Sequence, residues 1–286
     1  MQRVILVATL MLVSAVAEAG TLFFSTLGSG NAGAVPGLAP PYDDADLYRY
    51  SGLGFERVFD ASGLSLPTSA DVDGVSVVDR DTFYLSFNNQ ALEIPGFATV
   101  QDEDVLLYDA GAWYPYFDGT ALGLGTSAGQ DLDAISVVEG SLYFSTSGTG
   151  AANPVPGVSG PYDDADIYRW TGDTFERVFD ATGVLPGSAD IDGLTVVDSD
   201  TFYLSFNNTA LAIAGFQTVF DEDVVMYDAG TWSMFVEGAT LGLQASSGQD
   251  LDAISVVPTP SVLALLGAGL LGLPSRVRRK AWRRLG

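Results

Sequence analysis

The sequence predicts an all-β fold, a four-bladed β-propeller, and three observations lead there. The first is a long repeat: FERVFDASGL from Phe55 returns as FERVFDATGV from Phe175, and GQDLDAISVV runs from Gly129 and again from Gly248. The second is that each long unit splits in half. DVDGVSVVDRDTFYLSF from Asp71 matches DLDAISVVEGSLYFST from Asp131, and DADLYRY from Asp44 matches DEDVLLY from Asp102, giving four units of about 59 residues. Self-similarity at such a period marks a repeat architecture. The third is that every unit holds four short β-branched or aromatic runs bounded by turn residues, the signature of strands. Four antiparallel strands repeated four times describe propeller blades.

Taken in chain order, the first segment is MQRVILVATLMLVSAVAEAG, with one base (Arg3), an apolar run over residues 4–13, and Ala17-Glu18-Ala19 before Gly20. Basic start, apolar run and small-residue site in that order read as a cleavable secretory signal over residues 1–19, its run too short to span a bilayer. Next stands an orphan strand, TLFFST, at Thr21–Thr26. The first full unit places its strands at residues 46–50, 55–60, 73–78 and 82–87. Ser51-Gly52-Leu53-Gly54 and Asp79-Arg80-Asp81 join them as hairpins. The second-to-third connection takes about a dozen residues, and the connection to the next unit about seventeen. The last unit ends at residues 252–257 with only three strands. Because SLYFST follows DAISVV directly in an earlier unit, TLFFST matches the missing strand and is expected to close the last blade and the ring. Two tandem β-sandwiches of about 119 residues each fit the long repeat as well.

The predicted body therefore covers residues 20–257, followed by a tail over residues 258–286. Around that junction an apolar run spans residues 256–273, broken by Pro258-Thr259-Pro260, Ser261 and glycines, before six bases: Arg276, Arg278, Arg279, Lys280, Arg283 and Arg284. A short apolar run with a basic flank can enter a membrane as a transmembrane helix, the positive flank staying on the cytoplasmic side. The order Pro-x-Pro, Leu/Gly-rich span and Arg-rich terminus resembles the PEP-CTERM sorting signal of Gram-negative bacteria, over about the last thirty residues. Thr259 stands where that family usually has Glu. The resemblance implies an exosortase-type sorting enzyme as a partner, transient anchoring in the inner membrane, and delivery to the cell surface or extracellular matrix, often beside exopolysaccharide. A plain C-terminal membrane anchor is the other reading.

With Arg3, Glu18 and the six tail bases set aside, 5 bases face 35 acids, a net charge of −30 on the body. Such a surface repels nucleic acid and anionic lipid. Disorder is excluded by the 47% hydrophobic and 11% aromatic content. With no cysteine and no histidine, Cys/His zinc sites and Ser-His-Asp or Cys-His catalysis are excluded too.

The acids sit at two fixed offsets. Before the first strand of each unit stand Asp44/Asp46, Asp102/Asp104, Asp164/Asp166 and Asp221/Asp223; before the third stand Asp71/Asp73, Asp131/Asp133, Asp190/Asp192 and Asp250/Asp252. First and third strands of an antiparallel sheet run the same way, so all sixteen are expected on one face, with Asp43, Glu103, Asp163 and Glu222 beside them. Crowded carboxylates repel, and oxygen-only clusters suit Ca²⁺. If each pair lies on extended strand, residues i and i+2 point to one side and offer two oxygens to one ion. The competing reading is Asx-turns and a soluble rim. Tyr48, Tyr108, Tyr168, Trp113 and Trp232 are expected in the blade core rather than as sugar platforms.

Acids repeated alike in every unit suit binding more than catalysis, since an acid–base dyad needs two carboxyls in different environments. The expected function is thus a non-catalytic, Ca²⁺-stabilised surface or matrix protein, binding polysaccharide or another surface component. The alternatives are a carboxylate-dependent glycoside hydrolase or lyase and a purely structural spacer.

Overall fold

The structure is a computed structural model that describes residues 20–28, 34–125, 130–148, 155–244 and 248–258. Thr21–Val257 forms one compact unit. The expected secretory leader and, beyond Pro258, the apolar tail lie outside the described residues. Among the described residues no helix is long and apolar enough to cross a membrane.

In chain order the strands are β1 (Thr21–Thr26), β2 (Leu47–Tyr50), β3 (Phe55–Phe59), β4 (Gly74–Asp79), β5 (Thr82–Ser86), a small hairpin β6 (Leu92–Glu93) and β7 (Thr99–Val100), β8 (Val105–Asp109) and β9 (Ala112–Phe117). A helical turn, α1 (Gly119–Leu122), leads to β10 (Leu132–Val138), β11 (Ser141–Thr146), β12 (Ile167–Trp170) and β13 (Phe175–Phe179). The pattern repeats as β14 (Gly193–Asp198), β15 (Thr201–Ser205), the hairpin β16 (Leu211–Ala212) and β17 (Thr218–Val219), β18 (Val224–Asp228), β19 (Thr231–Val236), α2 (Gly238–Leu241) and β20 (Leu251–Val257). Tight turns come from local chemistry: Ala110-Gly111, Glu139-Gly140 and Ala229-Gly230 all have positive φ at both positions, the backbone of a two-residue hairpin turn whose twist matches the strands.

Four antiparallel four-stranded sheets result, ordered β4-β5-β8-β9, β10-β11-β12-β13, β14-β15-β18-β19 and β20-β1-β2-β3; we number them blades one to four. The innermost strands β4, β10, β14 and β20 neighbour one another in a closed ring. This is the four-bladed propeller, and it rules out two sandwiches, because each inner strand packs between inner strands of both adjacent sheets. It also explains why those strands are buried almost continuously instead of alternating.

β1 closes the ring as expected, pairing with β20 on one side (Leu22 with Val256, Phe24 with Ile254) and β2 on the other (Phe24 with Tyr48). The blade frame, however, is shifted by half a unit. Each blade joins the last two strands of one repeat unit to the first two of the next, so blade four takes only β20 from the C-terminal side and three strands from the N-terminal side. The seventeen-residue connector therefore stays within a blade and carries a hairpin, while the shorter one crosses between blades.

The core is divided among the seams. One apolar cluster around Phe83, Phe87 and Leu47 fills the junction of blades four and one, and its repeat equivalent around Phe202, Phe206 and Ile167 fills that of blades two and three. Clusters around Phe24 and Tyr48, and around Phe144 and Tyr168, fill the other two. Tyr48 and Tyr168 are fully buried, while Tyr108, Trp113 and Trp232 pack half-buried against these clusters. Near the axis, hydroxyls latch each inner strand to the next: Val137 N donates to Ser76 Oγ (2.9 Å), Val196 N to Ser136 Oγ (3.0 Å), Val256 N to Thr195 Oγ1 (2.9 Å) and Val77 N to Ser255 Oγ (3.1 Å). These four bonds complete a circle.

Candidate functional site

Inner strands and third strands of the blades run in the same direction, so the residues just before them share one face, and all sixteen predicted aspartates lie there. They divide into two groups with different tasks.

Asp46, Asp104, Asp166 and Asp223 are loop latches. In each, one oxygen accepts the backbone N–H three residues earlier (Asp43, Gln101, Asp163 and Phe220, 3.0 to 3.2 Å). The other accepts an N–H fifteen residues later, from Ala61, Gly119, Ala181 and Gly238 at 2.9 to 3.0 Å. A turn forces this geometry: Asp46 N donates back to Asp43 O at 2.9 Å, and the same turn recurs at Asp104, Asp166 and Asp223. The sequence expectation that Asp44 and Asp46 would point to one side assumed extended backbone. The turn separates them, and likewise separates Asp102 from Asp104, Asp164 from Asp166 and Asp221 from Asp223. Asp46 and Asp166 are further held by Tyr48 and Tyr168 hydroxyls and by Arg57 and Arg177 at 3.1 to 3.2 Å.

The other twelve form the acid ring: Asp44, Asp102, Asp164 and Asp221; Asp71, Asp131, Asp190 and Asp250; and Asp73, Asp133, Asp192 and Asp252. Eleven of them hold a buried oxygen with no hydrogen-bond donor; the twelfth, Asp192, accepts from Ser205 Oγ at 2.7 Å. None of the four latches has such an orphan. Backbone bonds bring the ring together across the seams: Val72 N donates to Asp44 O, Leu132 N to Asp102 O, Ile191 N to Asp164 O and Leu251 N to Asp221 O, at 3.0 to 3.3 Å. Pairing thus runs between blades, Asp44 with Asp71, Asp102 with Asp131, Asp164 with Asp190 and Asp221 with Asp250.

Burial, with neighbouring acids at several of them, holds Asp44, Asp71, Asp73, Asp102, Asp131, Asp133, Asp164, Asp190, Asp192, Asp250 and Asp252 above the ordinary carboxylate range. Asp44 is pushed up to about 6 by burial and then by Asp71, and Asp250 to about 6 by burial and Asp221. Asp164 rises to about 7 through burial and Asp190, and Asp102 to about 7 through burial, Glu103 and Asp131. Closer to the axis, burial raises Asp73, Asp133, Asp192 and Asp252 well above the carboxylate range. Asp71 lies within hydrogen-bonding reach of Asp252, and Asp190 of Asp133. Two carboxylates have no hydrogen between them, so each such pair needs a proton or a cation. Among the described residues, no group of three or more acidic side chains stands ready-made around one metal position.

Two acids outside the paired offsets belong to the site. Glu103 and Glu222 are buried, and each has an oxygen without a donor. The first residues of α1 and α2 make room for them, since a Cβ on Gly119 or Gly238 would run into the carbonyl of Glu103 or Glu222. Their sequence signal is the acidic triplet Asp-Glu-Asp, which appears only in alternate half-units.

No family model and no curated protein matches the chain. Among solved structures, similarity is found to the extracellular domain of a one-component system from B. thetaiotaomicron (11% identical, 83% of this chain and 39% of that one, TM-score 0.36). The GH74 xyloglucanase from Xanthomonas campestris is 13% identical over 74% of this chain and 39% of its own, TM-score 0.31. The acylaminoacyl peptidase of Pyrococcus horikoshii is 13% identical over 72% and 25%, TM-score 0.26. The chain spans well under half the length of each of these three. Likeness at this level says nothing of activity or partners, and the propeller rests on the sheet order itself.

Proposed function

We propose that the chain is an exported, non-catalytic scaffold of the cell surface or extracellular matrix whose acid-ringed face takes divalent cations, Ca²⁺ foremost, and meets polysaccharide. The observation that carries this reading is the ring of eleven aspartates with orphaned buried oxygens. The five body bases are too few to neutralise it. A buried carboxylate without partner costs several kcal/mol, and Ca²⁺ takes six to eight oxygens in flexible geometry, from carboxylates, backbone carbonyls and water. An ion at a seam would replace repulsion between blades with shared ligation. Export follows in this reading from the leader, and surface delivery by an exosortase-type enzyme from the tail; replacing the six tail bases by Gln should then disturb retention and processing.

The cation reading is tested by melting the purified full chain in EDTA and in millimolar Ca²⁺. Binding to the folded state alone adds about 2.7 kcal/mol when the ion is at 100 times Kd, or about 5 to 10 °C in Tm for a domain of this size. NaCl of equal ionic strength should give much less. Equal shifts in NaCl and Ca²⁺ would leave the ring a solvated rim. The hydrolase or lyase alternative draws on the raised carboxyls Asp102 and Asp164, and requires product release from a polysaccharide that Asp102→Asn abolishes.

A further inference from the structure

The four seams are not equivalent. Blades four and two carry a cation of their own: Arg57 and Arg177 project from their outer strands β3 and β13, paired in register with Tyr48 and Tyr168. Each guanidinium reaches the local acids, Arg57 to Asp46 at 3.2 Å and Asp60 at 3.8 Å, Arg177 to Asp166 at 3.1 Å and Asp180 at 3.5 Å. In blades one and three the same register positions hold Leu106 opposite Pro115 and Val225 opposite Met234. No Lys or Arg occurs in residues 81–168 or 178–257. The seams differ in their acids: Glu103 joins Asp102 and Asp131 between blades one and two, Glu222 joins Asp221 between blades three and four, and the other two seams have no such glutamate.

On the reading of the acid face as cation-binding, we infer that the chain takes two Ca²⁺ ions, one at Asp102, Glu103 and Asp131 between blades one and two, the other at Asp221, Glu222 and Asp250 between blades three and four. Four of these six groups are more than nine-tenths buried: Asp102 is 3% exposed, Glu103 0%, Asp221 5% and Glu222 6%. Each of those four holds a buried oxygen with no donor. Glu103 is set in place, its Oε1 accepting from the Thr120 hydroxyl and its backbone packed on Gly119, so that Oε2 alone is left unpartnered. Asp102 lies within hydrogen-bonding reach of both Glu103 and Asp131, and Glu222 of Asp221. Asp131 and Asp250 belong to the loop leading into the next blade's inner strand, so an ion drawing these groups together ties two blades. Main-chain oxygens and water complete its shell. The seams without a glutamate and the axis, where acids pair with each other or with Ser205, are the weaker places.

Titration calorimetry and native mass spectrometry of the full chain with CaCl₂ at neutral pH should show two tightly held ions. Glu103→Gln should leave one of them, Glu222→Gln likewise one, and the double variant none, or at least tenfold weaker binding. Asp131→Asn, at the same seam as Glu103, should remove the same ion, which keeps the test open if a glutamate variant fails to fold. Asp44→Asn, at a seam without a glutamate, and Asp73→Asn, at the axis, should keep both. A single ion lost with Asp73→Asn and retained by the glutamate variants would overturn the seam assignment while leaving the cation reading standing. Wild-type protein that binds no Ca²⁺ would remove the cation reading itself.

Discussion

Asp44 and Asp46 are separated by one alanine and do unrelated things. Both oxygens of Asp46 accept hydrogen bonds, whereas Asp44 lies beside Asp71 with one oxygen left over. Sequence spacing placed both on the correct face but could not tell latch from ring, because side-chain direction depends on the turn between residues 43 and 46. Asp46→Ala would leave the buried Ala61 N without its acceptor and Arg57 without its buried ion-pair partner. It should cost about 3 kcal/mol or more, measured by denaturant unfolding, with the Ca²⁺ shift in Tm intact; a lost shift would move Asp46 into the ring. The glutamates were harder to see, since each is a single acid inside a triplet and only its burial and orphaned oxygen set it apart. Arg57 and Arg177 are visible as letters, but that blades one and three lack their counterpart shows only once register aligns them with Pro115 and Met234.

At the scale of elements, the strands were legible because short β-branched or aromatic runs and the turn residues that bound them are local. The four strands read from the first unit differ from those observed by one residue at most at either end. β6, β7, α1 and their repeats were not seen: two-residue strands and four-residue helical turns hold too few positions to show a period. β1 was identified by homology with another part of the same chain, and its role follows from place, between β20 and β2. Deleting Thr21–Thr26 takes the bridge out of blade four, detaches β20 from β2 and uncovers Leu22's neighbours in the seam. Cooperative unfolding should be abolished, and calorimetry showing a sharp transition at unchanged Tm would refute closure by this strand. Removing one latch of the inner circle is a milder perturbation. Ser136→Ala leaves the buried Val196 N–H without an acceptor and should cost about 1 kcal/mol.

For the molecule as a whole, the acid ring makes stability depend on pH in a direction opposite to ordinary acid denaturation. Asp44 and Asp250 titrate near 6 and Asp102, Asp164 and Glu222 near 7 in the folded state, raised by burial and neighbouring acids, against 3.8 for Asp and 4.5 for Glu unperturbed. The folded chain therefore binds more protons than the unfolded chain between about pH 4 and 7, and stability falls as pH rises through that window. In EDTA, Tm should drop by several degrees from pH 5 to pH 8, and Ca²⁺ should flatten the dependence by replacing the protons. A Tm that rises over the same interval in EDTA would mean that the ring carboxyls are not neutralised by protons in the folded state.

By itself the sequence determined the strands, the four-fold repeat, the closing role of β1 and the face on which the acids gather, because β-branched or aromatic runs, turn chemistry and strand direction are properties of short stretches and of their order. The tertiary structure alone decided that a blade joins halves of two successive repeats, that four of sixteen aspartates are latches, and that two seams bury a glutamate among the ring acids. Those outcomes depend on which strand lies beside which and on where a turn aims a side chain. Contacts between residues far apart in the chain set both, and identical letters at identical spacing do not reveal them.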